Sequence, residues 1–196
     1  MRLGIDLGGT KTEGVILGDN DEVIFREREL TPAAKGYDAV LANIITLVER
    51  LETKAGERCT IGIGTPGSID RKSQLMKNSN SVVLNGKPVH DDLEKRLGRS
   101  VRLANDANCF ALAEAKAGAG RGHGVVFGVI LGTGVGGGVV MYGKVHAGPN
   151  DLAGEWGHNV LEPSGPDCYC GKRGCLETLC SGPGMVADYK RENPES

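Results

Sequence analysis

"LGIDLGGTKTEGVIL", residues 3–17, lies over "FGVILGTGVGGGVVM", residues 127–141, without a gap. The overlay aligns Gly4 with Gly128, Gly8 with Gly132, Gly14 with Gly138, Leu7 with Leu131 and Val15 with Val139. Each copy reads as strand, glycine turn, strand, because apolar residues and β-branched runs flank each glycine cluster. The chain is therefore expected to form two lobes that open alike, residues 1–118 and 119–196. Glycine permits close approach and positive φ, so such turns can offer backbone N–H groups to the phosphates of one nucleotide across a cleft; two ordinary turns would give the same letters.

The copies differ in one chemically telling place, where Asp6 of the first stands opposite Ile130 of the second. A single carboxylate at a strand end beside phosphate donors suits Mg²⁺, which takes one or two carboxylates plus phosphates and water. Gly8, Gly9, Thr10 and Lys11 follow as phosphate-directed groups, and Gly132, Thr133 and Gly134 are their counterparts. Residues 132–137 also satisfy G-x-G-x-x-G, but Val139-Val140-Met141-Tyr142 continues as a strand where the dinucleotide fingerprint requires a helix.

Between the copies, 22–28 reads as a third strand of a meander, and Tyr37, Val40, Leu41, Ile44, Ile45, Val48 and Leu51 fall at helical spacing in a helix ended by Gly56. A strand at 59–64, the turn Thr65-Pro66-Gly67-Ser68, a short helix at 91–98, a strand at 101–104 and an Ala-rich helix at 107–119 complete an α/β lobe. Asp106 falls between the last strand and helix, at the edge where α/β ligands bind. It is the candidate general base for a phosphoryl transfer, or else a cap on the helix that follows.

"GHNVLEPSGPDCYCGKRGCLE", residues 157–177, sets His158, Cys168, Cys170 and Cys175 together. Reducing conditions and the closeness of Cys168 to Cys170 disfavour a disulfide. Three thiolates and an imidazole suit a closed, structural tetrahedral Zn²⁺, with free thiols as the alternative. Gly171 and Gly174 let the backbone wrap an ion. Cys59, Cys109 and Cys180 read as core or incidental.

The formal charge of −2 over 196 residues gives no electrostatic case for nucleic acid or anionic membrane as partner. No run approaches the roughly 20 apolar residues that span a bilayer, and the start lacks the core of a signal peptide, so a cytoplasmic location is expected. The 31 glycines cluster in short runs, which reads as backbone lying close to a ligand.

Asp6-Leu7-Gly8-Gly9-Thr10-Lys11, Thr65-Pro66-Gly67, Asn105-Asp106-Ala107-Asn108, Gly132-Thr133-Gly134-Val135-Gly136 and the run from Glu155-Trp156-Gly157-His158 to Cys175-Leu176-Glu177, in this order, resemble the ROK family of sugar kinases and repressors. The resemblance implies two actin-like (RNase H-like) lobes around a cleft, ATP with Mg²⁺, and phosphorylation of a hexose. It implies that Asp106 is the catalytic base, that Gly67, Asn105, Asp106, Glu155, His158 and Glu177 contact the sugar, and that the Cys₃His set holds zinc. Zinc would fix His158 through one ring nitrogen and leave the other to face the sugar. Residues 77–89, "KNSNSVVLNGKPV", and "EWGHN" look most like fructokinases that also accept mannose. N-acetylglucosamine kinases or glucokinases of the family are the alternative, and a sugar-responsive regulator without its DNA-binding domain is the alternative of another class. The resemblance also implies further elements to complete the second lobe, so 119–196 is expected to be incomplete. Its strands would leave Val125, Phe127, Val129, Leu131, Val139 and Met141 uncovered and favour a homo-oligomer.

Overall fold

The computed structural model describes residues 1–149, 153–193 and 195. Its first hairpin sits inside a sheet. Strands β1 (Arg2–Leu7) and β2 (Lys11–Leu17) pair antiparallel, and the Gly8 N–H donates to the Lys11 carbonyl at 2.9 Å to close the turn. β3 (Val23–Leu30) extends the meander outward. Helix α1 (Tyr37–Ala55) then carries the chain back, so that β4 (Thr60–Thr65) lies parallel to β1 on its other side. A small hairpin, β5 (Ser68–Ile69) with β6 (Met76–Lys77), and helix α2 (Val89–Leu97) precede β7 (Val101–Asn105), which is parallel to β4. The resulting order is β3-β2-β1-β4-β7.

Helix α1 forms where the apolar spacing places it. Val40, Leu41, Ile44, Leu47, Val48 and Leu51 make one buried stripe, and Gly56, left-handed at φ 74°, ends the helix by donating to the Glu52 carbonyl. The stripe joins Leu3, Ile5, Leu7, Ile61 and Ile63 of the sheet in one core. Gly14 lies beneath it, where a Cβ would come within 2.5 Å of Leu51 Cδ1.

The chain divides into two compact units, Met1–Asp106 and Ala107–Ser196. The second contains nearly all of helix α3 (Asp106–Ala117), then β8 (Val125–Leu131), β9 (Val135–Met141), β10 (Lys144–Val145), α4 (Leu176–Cys180) and α5 (Gly182–Glu192). Helix α3, assigned to the first lobe by sequence, packs on the second hairpin. A Cβ on Gly138 would stand 2.6 Å from the Ala107 carbonyl and 2.8 Å from Ala111 Cβ, and one on Gly128 would stand 2.9 Å from Ala111 Cβ. Gly14 and Gly138, matched in the repeat, thus both let a helix rest on a second strand. At these two positions glycine serves helix packing. Gly138→Val forces side-chain bulk onto helix backbone that cannot rotate away. It is expected to destabilise the second unit by about 3 kcal/mol or more, and an unchanged urea midpoint would contradict this.

Phe127, Val125, Val129 and Leu131 point from β8 away from α3 and stay 42–57% exposed, as the strand's alternation implies. Among the described residues no helix is long and apolar enough to cross a membrane. Cys59 is buried, but Cys109, read as core or incidental, is exposed on α3.

One largely buried ion pair ties α1 to the turn before β7. The Glu52 carboxylate accepts from Arg99 Nη2 at 2.7 Å and from the Cys59 N–H at 2.6 Å. Burial alone would push this carboxyl up, but Arg99 and the Cys59 N–H outweigh it and hold it below the ordinary carboxylate range. The contribution is full above the unfolded pKa of about 4.3 and fades as pH falls below it. Glu52→Gln is expected to lower stability at about pH 7 and to converge on the native chain as pH falls through the depressed folded pKa, so a difference that does not change with pH would exclude this role.

Candidate functional site

In the first unit, the residues singled out from the sequence gather at the carboxyl edge of the parallel strands. Asp6 near the end of β1 pairs with Gly64 of β4, and Thr65 at the end of β4 pairs with Asn105 at the end of β7. Asp106 follows as the first residue of α3, where the helix terminus favours negative charge. Asn105 Nδ2 donates to Asp106 Oδ1 at 3.1 Å, so the amide orients the carboxylate. Asp106 therefore occupies a helix start and a ligand edge together. Gly67, at φ 96°, has room for no side chain, since a Cβ would stand 2.4 Å from the Lys77 carbonyl.

The first glycine turn is braced from below by Thr31, which sequence reasoning passed over. Its N–H donates to the Thr10 carbonyl at 2.9 Å and its hydroxyl to the Gly8 carbonyl at 2.7 Å. Residues 78–81 form a second overlooked part, read only as a stretch resembling other kinases. Asn78 adopts a positive φ of 56°, and Asn85 clips Ser79 through Ser79 N to Oδ1 and Nδ2 to Ser79 O, both 2.9 Å. This clip brings Ser81 Oγ and Asn80 Oδ1 to 3.3 and 3.8 Å from the Cβ position of Gly9. Its sequence signal is a run of turn-forming Asn and Ser between apolar segments.

Asp6 is the candidate carboxylate for Mg²⁺. The protein packed around its carboxyl, and then the Glu13 carboxylate opposite it in the ladder, raise its pKa above the ordinary range, with only partial relief from Arg28. Glu13 itself is held by Arg26 and Arg28. Asp6 is thus a carboxylate whose surroundings under-supply positive charge, which fits a cation ligand.

In the second unit, the metal candidates do come together. The ligand atoms of His158, Cys168, Cys170 and Cys175 all lie within 4.8 Å of one another. Cys168 Sγ is 3.6 Å from His158 Nδ1, and Cys170 Sγ is 3.6 Å from Cys175 Sγ. Zn–S bonds of about 2.3 Å in a tetrahedron put sulfurs about 3.8 Å apart, so shifts of about an ångström or less would close the set on zinc. The knuckle is fixed by Cys168 N to Lys172 O at 2.8 Å and Gly174 N to Pro166 O at 2.7 Å. The Lys172 N–H holds the Cys170 thiol below its usual value, whereas burial and the neighbouring sulfurs push Cys175 up. A divalent ion would supply the charge that lets all three sulfurs be thiolates.

Of the substrate-directed candidates of this unit, His158 and Glu177 have the following partners within it. His158 Nε2, expected to face the sugar, is 3.0 Å from Tyr169 Oη. Glu177, in the first turn of α4, accepts the Val135 N–H at 2.9 Å on Oε2. Glu155 is exposed beside Trp156, whose Nε1 donates to the Gly136 carbonyl at 2.8 Å. Gly132, Thr133 and Gly134 form the second turn, closed by Gly132 N to Gly134 O at 2.9 Å.

A glycine hairpin within a mixed sheet, ligand groups at the carboxyl edge of its parallel strands and a second unit with a matching hairpin belong to the actin-like, RNase H-like class. Within it, this chain belongs to the ROK family, whose sequence profile matches residues 2–196. It is 41% identical over 201 residues to the N-acetyl-D-glucosamine kinase of Haemophilus influenzae (strain 86-028NP), covering 97% of this chain and 66% of that enzyme. The fold superposes on the ROK hexokinase of Thermus thermophilus with a TM-score of 0.85 at 37% identity, covering 98% of this chain and 64% of that one. A ROK family glucokinase from Streptomyces griseus, solved with glucose and AMPPNP, gives a TM-score of 0.79 at 31% identity over 99% of this chain and 62% of that one. The chain thus spans about two thirds of the length of these relatives.

Proposed function

We propose that this chain acts in the ATP-dependent phosphorylation of a sugar, N-acetylglucosamine or glucose. The observation that carries the reading is Asp106, oriented by Asn105 at the same sheet edge as Asp6 and the first glycine turn. Asp106 accepts the proton of the attacking sugar hydroxyl, while Asn105 keeps the accepting oxygen aimed. Gly67, Asn105, Glu155 and Glu177 contact the sugar, whereas the Nε2 that His158 was expected to offer it is taken by Tyr169. Gly8, Gly9, Thr10 and Lys11 of the first unit and Gly132, Thr133 and Gly134 of the second are the phosphate-directed groups. Asp6 holds Mg²⁺, which when bound neutralises charge on the transferring phosphoryl group. Zinc on His158, Cys168, Cys170 and Cys175 orders the loop that carries the sugar contacts.

Fructose, with mannose, was the substrate expected from sequence. The relatives described above are named for N-acetylglucosamine, hexose and glucose, so the reading moves to the alternative substrates. The hydrogen-bonding groups of such a pocket discriminate by leaving a polar partner unpaired, an effect worth up to about 10⁴-fold. A coupled ADP-release assay is expected to rank N-acetylglucosamine or glucose at least about tenfold above fructose in kcat/KM. A preference for fructose would restore the first expectation, and sugar binding without ADP release would favour the regulator.

A further inference from the structure

A line of contacts starts on the clamp and ends on the second glycine hairpin. His158 turns Nδ1 toward Cys168 Sγ and sets Nε2 against Tyr169 Oη, 3.0 Å away. Glu177 is tied to the same clamp through the chain, two residues beyond the ligand Cys175 at the start of α4. Glu177 Oε2 in turn accepts the Val135 N–H at 2.9 Å. Backbone bonds run alongside, from Glu177 N to Gly157 O at 2.9 Å and from Gly182 N to Gly132 O at 2.8 Å. The fit is close, since a Cβ on Gly134 would stand 2.7 Å from Glu177 Oε2 and one on Gly157 only 2.1 Å from the Val135 carbonyl.

We propose that Glu177 is a positioning residue, a strut through which the filled Cys₃His clamp holds the 132–135 turn in shape, so that metal occupancy sets how well that turn binds a nucleotide. The proton inventory is consistent from end to end. An imidazole ligated through Nδ1 is neutral and keeps its Nε2–H as a donor to Tyr169 Oη, and the Glu177 carboxylate accepts the Val135 N–H. Glu177 also follows Cys175 by two residues, so the metal anchors the start of α4 directly. When the ion leaves, the ring nitrogen and the helix start lose their fixed points together. The strut itself is independent of the kinase reading, whereas its effect on nucleotide rests on it.

Residue-resolved deuterium exchange on the whole chain tests this, zinc-loaded and after 1,10-phenanthroline. In the native chain the Val135 amide should exchange about tenfold faster or more after chelation, while Val126 and Val140 in the β8–β9 ladder change less than about twofold. Glu177→Ala should show fast Val135 exchange with or without zinc, and Glu177→Gln, whose amide oxygen still accepts, should keep the zinc-loaded protection. ATP affinity, measured by calorimetry, should fall by about tenfold on chelation in the native chain and lose its zinc dependence in Glu177→Ala. Unchanged Val135 exchange on chelation overturns the strut, and so does equal acceleration of Val126 and Val140, which would mean general loosening. If the native chain binds no ATP, the nucleotide reading falls, and the exchange data still decide the strut.

Discussion

Asp106→Ala is expected to lower kcat by about a thousandfold while sugar still binds, because the substitution removes the proton acceptor and leaves the sugar contacts of Gly67, Asn105, Glu155 and Glu177 in place. The position at the start of α3 offers a competing role as a favourable helix-terminal charge, worth roughly 0.3–1 kcal/mol. The two roles separate with Asp106→Ser, which supplies a good helix-start oxygen but no base. Stability close to native with turnover as poor as in the alanine variant assigns Asp106 to chemistry, and turnover that recovers along with stability assigns it to the helix. Near-normal kcat in Asp106→Ala, with ADP release followed at saturating sugar, would remove the residue from the mechanism altogether. The measurement belongs in a form of the protein as long as its relatives.

Cys175→Ser is expected to abolish a zinc content of about one ion per chain and to melt the loop around it. Cys175 is fully buried, shares its sulfur environment with Cys170 at 3.6 Å, and pairs through the backbone with Val160. Structural zinc sites in small peptides contribute an apparent ~10–16 kcal/mol, so losing one of four ligands removes far more than a hydrogen bond. Atomic emission on gently purified protein gives the stoichiometry, and thermal denaturation with and without chelator gives the coupling. Native protein that carries no zinc, or that melts identically after chelation, would leave the cysteines as a metal-free knuckle held by its backbone bonds.

The first unit was readable because its signals are long. β1, β2 and α1 run through several periods, and the stripe Val40, Leu41, Ile44, Val48 and Leu51 has no strand interpretation. β5 and β6 have two residues each, too few to show a period, and α4 has five. The clamp was legible because thiolate and imidazole chemistry is local in sequence. Glu177 was singled out by resemblance, but its bond to the Val135 N–H, which belongs to a strand 42 residues earlier, leaves no trace in residue type. Thr31 was missed for the same reason, since its contacts are made to carbonyls of Gly8 and Thr10. The matched glycines 14 and 138 were seen without their role, because a glycine against a helix and a glycine against a phosphate look alike until the helix is placed.

The strand order β3-β2-β1-β4-β7 also sets a timetable. β1 and β2 can zip within microseconds of leaving the ribosome, since three residues separate them. β4 reaches its place beside β1 only after α1 has formed and a loop of more than fifty residues has closed, and β7 waits for β4. Nonlocal parallel pairing of this kind slows folding toward the millisecond-to-second range. During synthesis at about 5–20 residues per second, the carboxyl edge that carries Asp6, Gly67 and Asp106 is therefore assembled last within its unit, and the chain spends several seconds as a hairpin with an open β1 edge. That interval is when a chaperone has most to protect.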